Sequence, residues 1–365
     1  MLDSALILEL AIMFIKVFVV GSVLFALPIP LTWLERKVAG HIQVRLGPFR
    51  VGPHGVLQPL ADMIKMLLKE DIVPEKADKW LFRLAPIMTL VPTFTVFVAI
   101  PFGDKVRIPF TGREVALYIS DMNVAVLYIL AISGLGIYGI IFGGWASNSK
   151  YALLGGLRSA AQMISYEVAM SFAVIGVVML SNSLSLVEIV KSQSGGFLHW
   201  NFFYLPVGPL WFIIFIIAGF AETNRIPFDM PEDEGSLGAG YHVEYSGMRF
   251  AYYMLAEYVA MVTVSVLAVI FFFGGWNPPF NLPFHLTGET AMFVNGGWNA
   301  EFLNLLAAVI PLFWFAGKVA VFIYSFMWIR FTLPRYRYDQ LMRIGWRVLI
   351  PLSMVNILVT GFMRI

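Results

Sequence analysis

Two glutamates stand where hydrocarbon is expected. Glu167 and Glu257 fall within the apolar runs Ala160 to Leu180 and Phe250 to Phe273. Each lies about seven residues, roughly 10 Å, beyond the start of its run. An ionised carboxylate at such depth costs about 2.5–3.5 kcal/mol on insertion scales, so it has to be neutral, paired or wetted. Desolvation and like-charge neighbours raise a carboxyl pKa, which suits a group that loads and releases a proton near neutral pH. The pair therefore predicts a proton relay, with a static salt bridge as the alternative.

A second acidic group follows the fifth apolar run: Glu222, Asp229, Glu232, Asp233, Glu234 and Glu244, with Arg225 and Arg249 as nearby cations. Pro227, Phe228 and Pro231 interleave these acids, so a proton antenna or a packed junction with a soluble partner fits better than an unstructured tail. The spacing lacks the pattern of a calcium loop, and no metal site is expected. Glu35, Arg36 and Lys37 stand where the first apolar run ends, followed by Arg45, Gly47-Pro48, Arg50 and Gly52-Pro53. The Gly-Pro turns hold arginines at an interface, as a polar headgroup or a docking subunit requires.

Other features point elsewhere. Gly134, Gly136 and Gly139 match dinucleotide-binding spacing, but they sit in the middle of an apolar run, where small residues serve close helix packing, continued by Gly143. The five histidines lie in loops or at run edges, which argues against haem. Lys16 is placed to snorkel, near Glu9. Lys318, about 16 Å from Ile329 along a helix, is expected near the membrane midplane, where an ionisable group is usually functional.

The elements that position these groups follow from composition. The 365 residues are 59% hydrophobic and 13% charged, with mean hydropathy +0.78, which leaves too little polar surface for a soluble globule. Net charge is +2, no cysteine is present, and neither nucleic acid nor thiolate and iron–sulfur ligation is indicated. Apolar runs at Ala5 to Leu34, Leu81 to Phe102, Met122 to Trp145, Ala160 to Leu180, Val207 to Phe220, Phe250 to Phe273, Phe302 to Ile329 and Trp346 to Phe362 predict eight membrane spans, or nine. The fifth gains enough length if its helix starts near Trp200. The first is too long for a signal peptide and lacks a basic leader. Most Lys and Arg residues fall in the loops at 35–80, 146–159, 223–249 and 330–345, which makes those loops cytoplasmic and places the N-terminus outside. Between Val56 and Leu68 an i, i+3, i+4 apolar stripe is too short to cross and predicts an amphipathic helix on the membrane surface or against a partner. The reading is a single all-α polytopic membrane domain over residues 1–365.

At these residues the chain resembles the quinone-chamber membrane subunit of respiratory complex I, the NuoH family. The resemblance is carried by Glu35-Arg36-Lys37, Gln43 to Gly47-Pro48, Gly52-Pro53, Leu57-Gln58-Pro59-Leu60-Ala61-Asp62, Ala221-Glu222-Thr223-Asn224-Arg225, Pro227-Phe228-Asp229, Pro231-Glu232, Val243 to Gly247, Leu255-Ala256-Glu257-Tyr258 and Leu333 to Leu341. It implies a subunit of a proton-pumping NADH:quinone oxidoreductase that is not catalytic alone. Glu35, Arg36, Leu60 and Met63 would line the quinone chamber or its entrance. Glu167, Glu222, Asp229, Glu232, Glu234, Glu244 and Glu257 would carry proton coupling, and Arg45, Arg50, Arg335 and Arg337 would dock partners. Quinone would be the substrate, and iron–sulfur clusters and flavin would reside on partner subunits. Those partners would be the soluble quinone-site and iron–sulfur subunits, small membrane subunits and antiporter-like pumping subunits, in a bacterial inner membrane. The membrane subunit of an energy-converting hydrogenase shares the motifs and is the nearest alternative; a stand-alone secondary transporter and a structural anchor are further ones.

Overall fold

The computed structural model describes residues 4–107, 114–229, 240–280 and 298–364. Its first apolar passage, Ile7–Ile42, is two helices, α1 (Ser4–Ala26) and α2 (Pro28–Ile42). Pro28 brings no N–H and fixes its own φ, so it starts a new helix where the old one ends. The helix does not stop at Leu34; it carries Glu35, Arg36 and Lys37 for two further turns. After it, α3 (Gln58–Leu68) is the amphipathic segment, with Leu60, Met63, Ile64 and Leu67 exposed along one side.

The bundle continues with α4 (Lys79–Thr95), α5 (Ala125–Ala146), α6 (Lys150–Ser181), the short α7 (Leu186–Ser192), α8 (Val207–Glu222), α9 (Gly247–Phe272), α10 (Trp298–Thr332), α11 (Tyr338–Ile344) and α12 (Ile350–Arg364). A π turn, Gly345–Leu349, joins the last two into one passage. Among the described residues seven passages are long and apolar enough to cross a membrane, and α8 is a shorter apolar helix. The axis of the bundle is α9, whose residues from Met261 to Phe272 are nearly all buried, whereas α1 is exposed along most of its length.

Three expectations change. The fifth span begins at Val207 and not at Trp200, since Phe197–His199 and Asn201–Phe203 are separate 3-10 turns and the prolines at 206 and 209 supply no N–H to extend the helix backward. Helix resumes at Lys150, so most of 146–159 is the first part of α6 rather than loop. A two-stranded antiparallel ribbon, β1 (Lys105–Arg107) with β2 (Glu114–Ala116), interrupts an otherwise helical chain.

Two local devices shape the site. Pro86 in α4 leaves the carbonyl of Phe82 without its helical donor, and the Tyr245 hydroxyl donates to it at 3.2 Å. The Tyr245 ring stacks on Phe82 with centroids 4.1 Å apart. Beside it His242 is enclosed by Tyr241, Phe250 and Tyr253, and burial pushes its imidazole down to about 3, so it packs as a neutral ring. On α5, Gly139 lies against the backbone of α4: a Cβ there would stand 2.6 Å from the Thr89 nitrogen and 2.8 Å from the Ala85 oxygen. Gly139 and likewise Gly143, against Tyr253, are thus packing residues, while Gly136 has open space beside it. Gly139→Val should force α4 and α5 apart and cost about 1–3 kcal/mol. A thermal-stability scan of the purified assembly would read this as a lowered midpoint; an unchanged midpoint would mean that the two helices tolerate the extra volume.

Candidate functional site

A cluster of charge lies inside the bundle where α2, α9 and α10 meet the loop after α8. Glu35, on the inward side of α2, is 5% exposed, and Arg225, three residues past the end of α8, is 1% exposed. Arg225 Nε donates to Glu257 Oε1 at 2.7 Å, and its Nη1 stands 3.5 Å from Glu35 Oε2. Arg330 Nη1 donates to Glu35 Oε1, and the Tyr258 hydroxyl donates to Oε2 at 2.8 Å. The Arg225 guanidinium also lies 4.7 Å from the centroid of the Tyr258 ring. Two carboxylates and two guanidiniums cancel in charge, which is the condition under which ions survive burial.

Sequence neighbours part company here. Successive helix residues point about 100° apart, so Glu35 turns inward to the cluster while Arg36 turns outward to α3, where Nη1 donates to Asp62 Oδ2. Glu35 and Arg36, expected together at the quinone chamber or its entrance, thus have different partners. Leu60 and Met63 lie on the exposed side of α3, as Arg36 does on α2. Burial pushes the Asp62 carboxyl up, but hydrogen bonds from Arg36 and Gln58 and the charges of Arg36 and Lys65 outweigh it and hold the group below its ordinary 3.8.

Against the cluster lies a cavity of about 100 Å³ lined in part by Glu222, Glu257, Asn224, Tyr241, Tyr253 and Ser133. Most of its wall is apolar, so waters could be held only beside these few polar groups. Glu167, on α6, is near enough to Glu222 for their charges to repel. It occupies space left by Gly134 of α5, where a Cβ would stand 2.7 Å from its Oε1. The acids picked out by their depth, Glu167 and Glu257, are therefore on different helices and joined through Glu222 and the cavity.

The loop after α8 is fixed from both sides. Gln162 Nε2 donates to the carbonyls of Ala221 at 2.8 Å and Phe228 at 2.7 Å. Arg335 Nη2 meets Asp229 Oδ2 at 3.2 Å, and Tyr336 N donates to the Pro227 carbonyl. Arg335 therefore holds this loop internally, in addition to the docking role expected of it. Arg45, Arg50 and Arg337 are exposed, with Arg45 Nε donating to Gln43 at 2.6 Å and Arg337 pairing with Asp339 at 3.0 Å. Glu244 is half-buried in the turn before α9; Glu232 and Glu234 lie outside the described residues. Sequence reasoning missed Arg330 and Gln162. Arg330 ends a span, where a basic residue is unremarkable, and Gln162 stands in the first half of a helix with nothing in its own sequence to show that it grips a loop.

Two outcomes follow from the charge balance. Arg225→Met leaves two buried carboxylates against one cation and should cost about 3–5 kcal/mol, whereas Arg225→Met with Glu257→Leu keeps a neutral Glu35–Arg330 pair and should recover most of it. Thermal denaturation of the purified assembly reads both, and a double variant as unstable as the single one would refute the balance argument. The folded-state pKa of Asp62 is depressed, so its tie to Arg36 is complete at neutral pH and is lost as pH falls through the carboxylate range. Asp62→Asn should speed amide exchange across 58–68 at pH 7, with the difference from wild type vanishing in acid once the Asp62 carboxyl is protonated; a difference that persists there would refute it.

Comparison with known proteins matches residues 14–361 to the NADH dehydrogenase family. The chain is 56% identical to an NADH-quinone oxidoreductase subunit of Rhizobium meliloti (strain 1021), covering 98% of both chains. It is 54% identical to the corresponding NADH-quinone oxidoreductase subunit of Rhizobium etli, over 98% of this chain and 95% of that one. It is 45% identical to that of Solibacter usitatus, over 100% of this chain and 98% of the relative. Matched from α1 to α12 and sharing about half its residues with such relatives, this chain belongs to the NADH dehydrogenase family of NADH-quinone oxidoreductase subunits.

Proposed function

We infer that this multi-pass membrane protein is a subunit of NADH-quinone oxidoreductase, and that it couples quinone reduction in the assembly to proton translocation. The observation that carries this reading is the buried cluster of Glu35, Arg225, Glu257 and Arg330 beside a cavity that Glu222 also lines. Such a cluster is neutral only as a whole. A proton or a negative charge arriving near one member changes the balance at all of them, because ions in a low-dielectric interior interact strongly.

In this reading quinone reduction takes up two electrons and two protons, and the proton demand falls on carboxylates at the cytoplasmic side of the bundle. Arg36 and the exposed side of α3 with Leu60 and Met63 border the quinone's entry, where an amphipathic helix meets lipid. The response passes from Glu35 through Arg225 to Glu257, across the cavity to Glu222, and on to Glu167. Asp229, Glu232, Glu234 and Glu244 belong to the acidic segment that supplies or receives protons. The chain has no cysteine to ligate an iron–sulfur cluster; in this reading the clusters, and the flavin with them, belong to soluble partner subunits. Arg45, Arg50, Arg335 and Arg337 meet those partners, and lipid-facing helices meet small membrane subunits and the antiporter-like pumping subunits. The membrane is the bacterial inner membrane with the N-terminus outside, as the basic loops favour.

The test is NADH:quinone reduction and proton uptake into inverted membranes carrying Glu222→Gln, with assembly followed on a native gel. With assembly intact, we expect quinone reduction to fall by about tenfold or more and proton transport to fall at least as far. Wild-type rates of both would remove the cavity from the mechanism.

A further inference from the structure

One half-buried cation that this reading does not use is Lys318. Depth counted from Ile329 puts it near the midplane, and its Nζ lies against the end of α9 remote from Glu257, where that helix stops at Phe272. It donates to three main-chain carbonyls, of Phe273 at 2.7 Å, Gly275 at 2.9 Å and Asn277 at 2.6 Å, and lies 4.3 Å from the centroid of the Trp200 ring. An ammonium has three protons, and all three are used. The surroundings are built for it: the chain turns through Gly274 and Gly275 at φ +67° and +52°, and the Asn277 side chain donates to the Val190 carbonyl at 2.9 Å. Neighbouring carbonyls of the same helix end are taken by Gln193, which donates to Ile270, and Asn201, which donates to Phe271.

Helix α10 is therefore tied at two points, to the chain just past the end of α9 through Lys318 and, twelve residues or about 18 Å further along α10, to Glu35 of α2 in the charge cluster through Arg330. Between them the inner side of α10 presents Val319, Ile323, Phe326 and Met327 to the core. Apolar contacts of that kind are non-directional and resist axial sliding weakly. A slip by one residue would be about 1.5 Å, enough to break the contact between Arg330 and Glu35.

We propose that the three-carbonyl cage around Lys318 sets the axial register of α10, and that Lys318 is thereby a positioning residue for the Arg330–Glu35 contact. The proposal rests on the functional reading of the charge cluster given above. Its test is a double-variant cycle in membranes bearing the whole assembly: Lys318→Met, Arg330→Gln and both together, with quinone reduction normalised to assembled complex on a native gel. Each single variant should lose about tenfold, and the double variant should be no slower than Arg330→Gln alone, because Lys318 acts through Arg330. Losses that multiply would overturn the proposal while leaving the charge cluster's role intact. A wild-type rate for Arg330→Gln would overturn both. If Lys318→Met does not assemble, Lys318→Arg runs the same cycle, since a planar guanidinium keeps the charge but misfits a cage built for a compact ammonium.

Discussion

Arg225 is almost wholly removed from solvent, and the site is organised around keeping that charge compensated. An isolated buried guanidinium is not tolerated, so two carboxylates have to reach it from different helices, Glu35 from α2 and Glu257 from α9. Two carboxylates against one cation would again be unbalanced, and Arg330 of α10 supplies the remainder. Three spans and one loop are thereby tied at a single point. Arg225 itself stays there because Gln162, Asp229 and Tyr336 hold the loop on either side of it.

The balance explains why the cavity lies where it does. Carboxylates that were all paired would have no reason to exchange protons, and carboxylates that were all unpaired would not remain ionised in a bilayer. Glu257 takes part in the ion cluster and lines the cavity as well, while Glu222 lines the cavity with Glu167 as its acidic neighbour. The site grades from compensated to uncompensated charge across about two helices, and such a gradient responds when charge changes at one end.

Much of this is readable in the sequence wherever a residue contradicts its surroundings. Glu167 and Glu257 stand out by their depth in apolar runs, Arg225 as a cation among acids, and α3 by its stripe. What escapes are residues whose own context already accounts for them. Arg330 looks like an ordinary basic flank, and Glu35 looks like a partner of Arg36 because the turn of the helix that separates them matters only once α3 and α9 are in place. Counting along its own helix gives Lys318 a depth but not its partners. Its surroundings are set by where α9 unwinds, and one sequence does not show how two antiparallel helices are staggered. The fifth helix starts at Val207 with its apolar run, and only the extension back to Trp200 fails: apolar composition continues through Trp200, while helical backbone hydrogen bonding does not.

Tyr245 completes a hydrogen bond that Pro86 leaves open in α4, across 163 residues of chain. During synthesis the early helices therefore enter the bilayer with an acceptor in α4 that has no protein donor until a much later segment arrives. The aromatic stack on Phe82 and the ion pair of Arg249 with Asp71 close over the same region only then. Completion of the N-terminal half is thus tied to the arrival of the C-terminal half, and a chain interrupted before Tyr245 would leave that carbonyl without its protein donor.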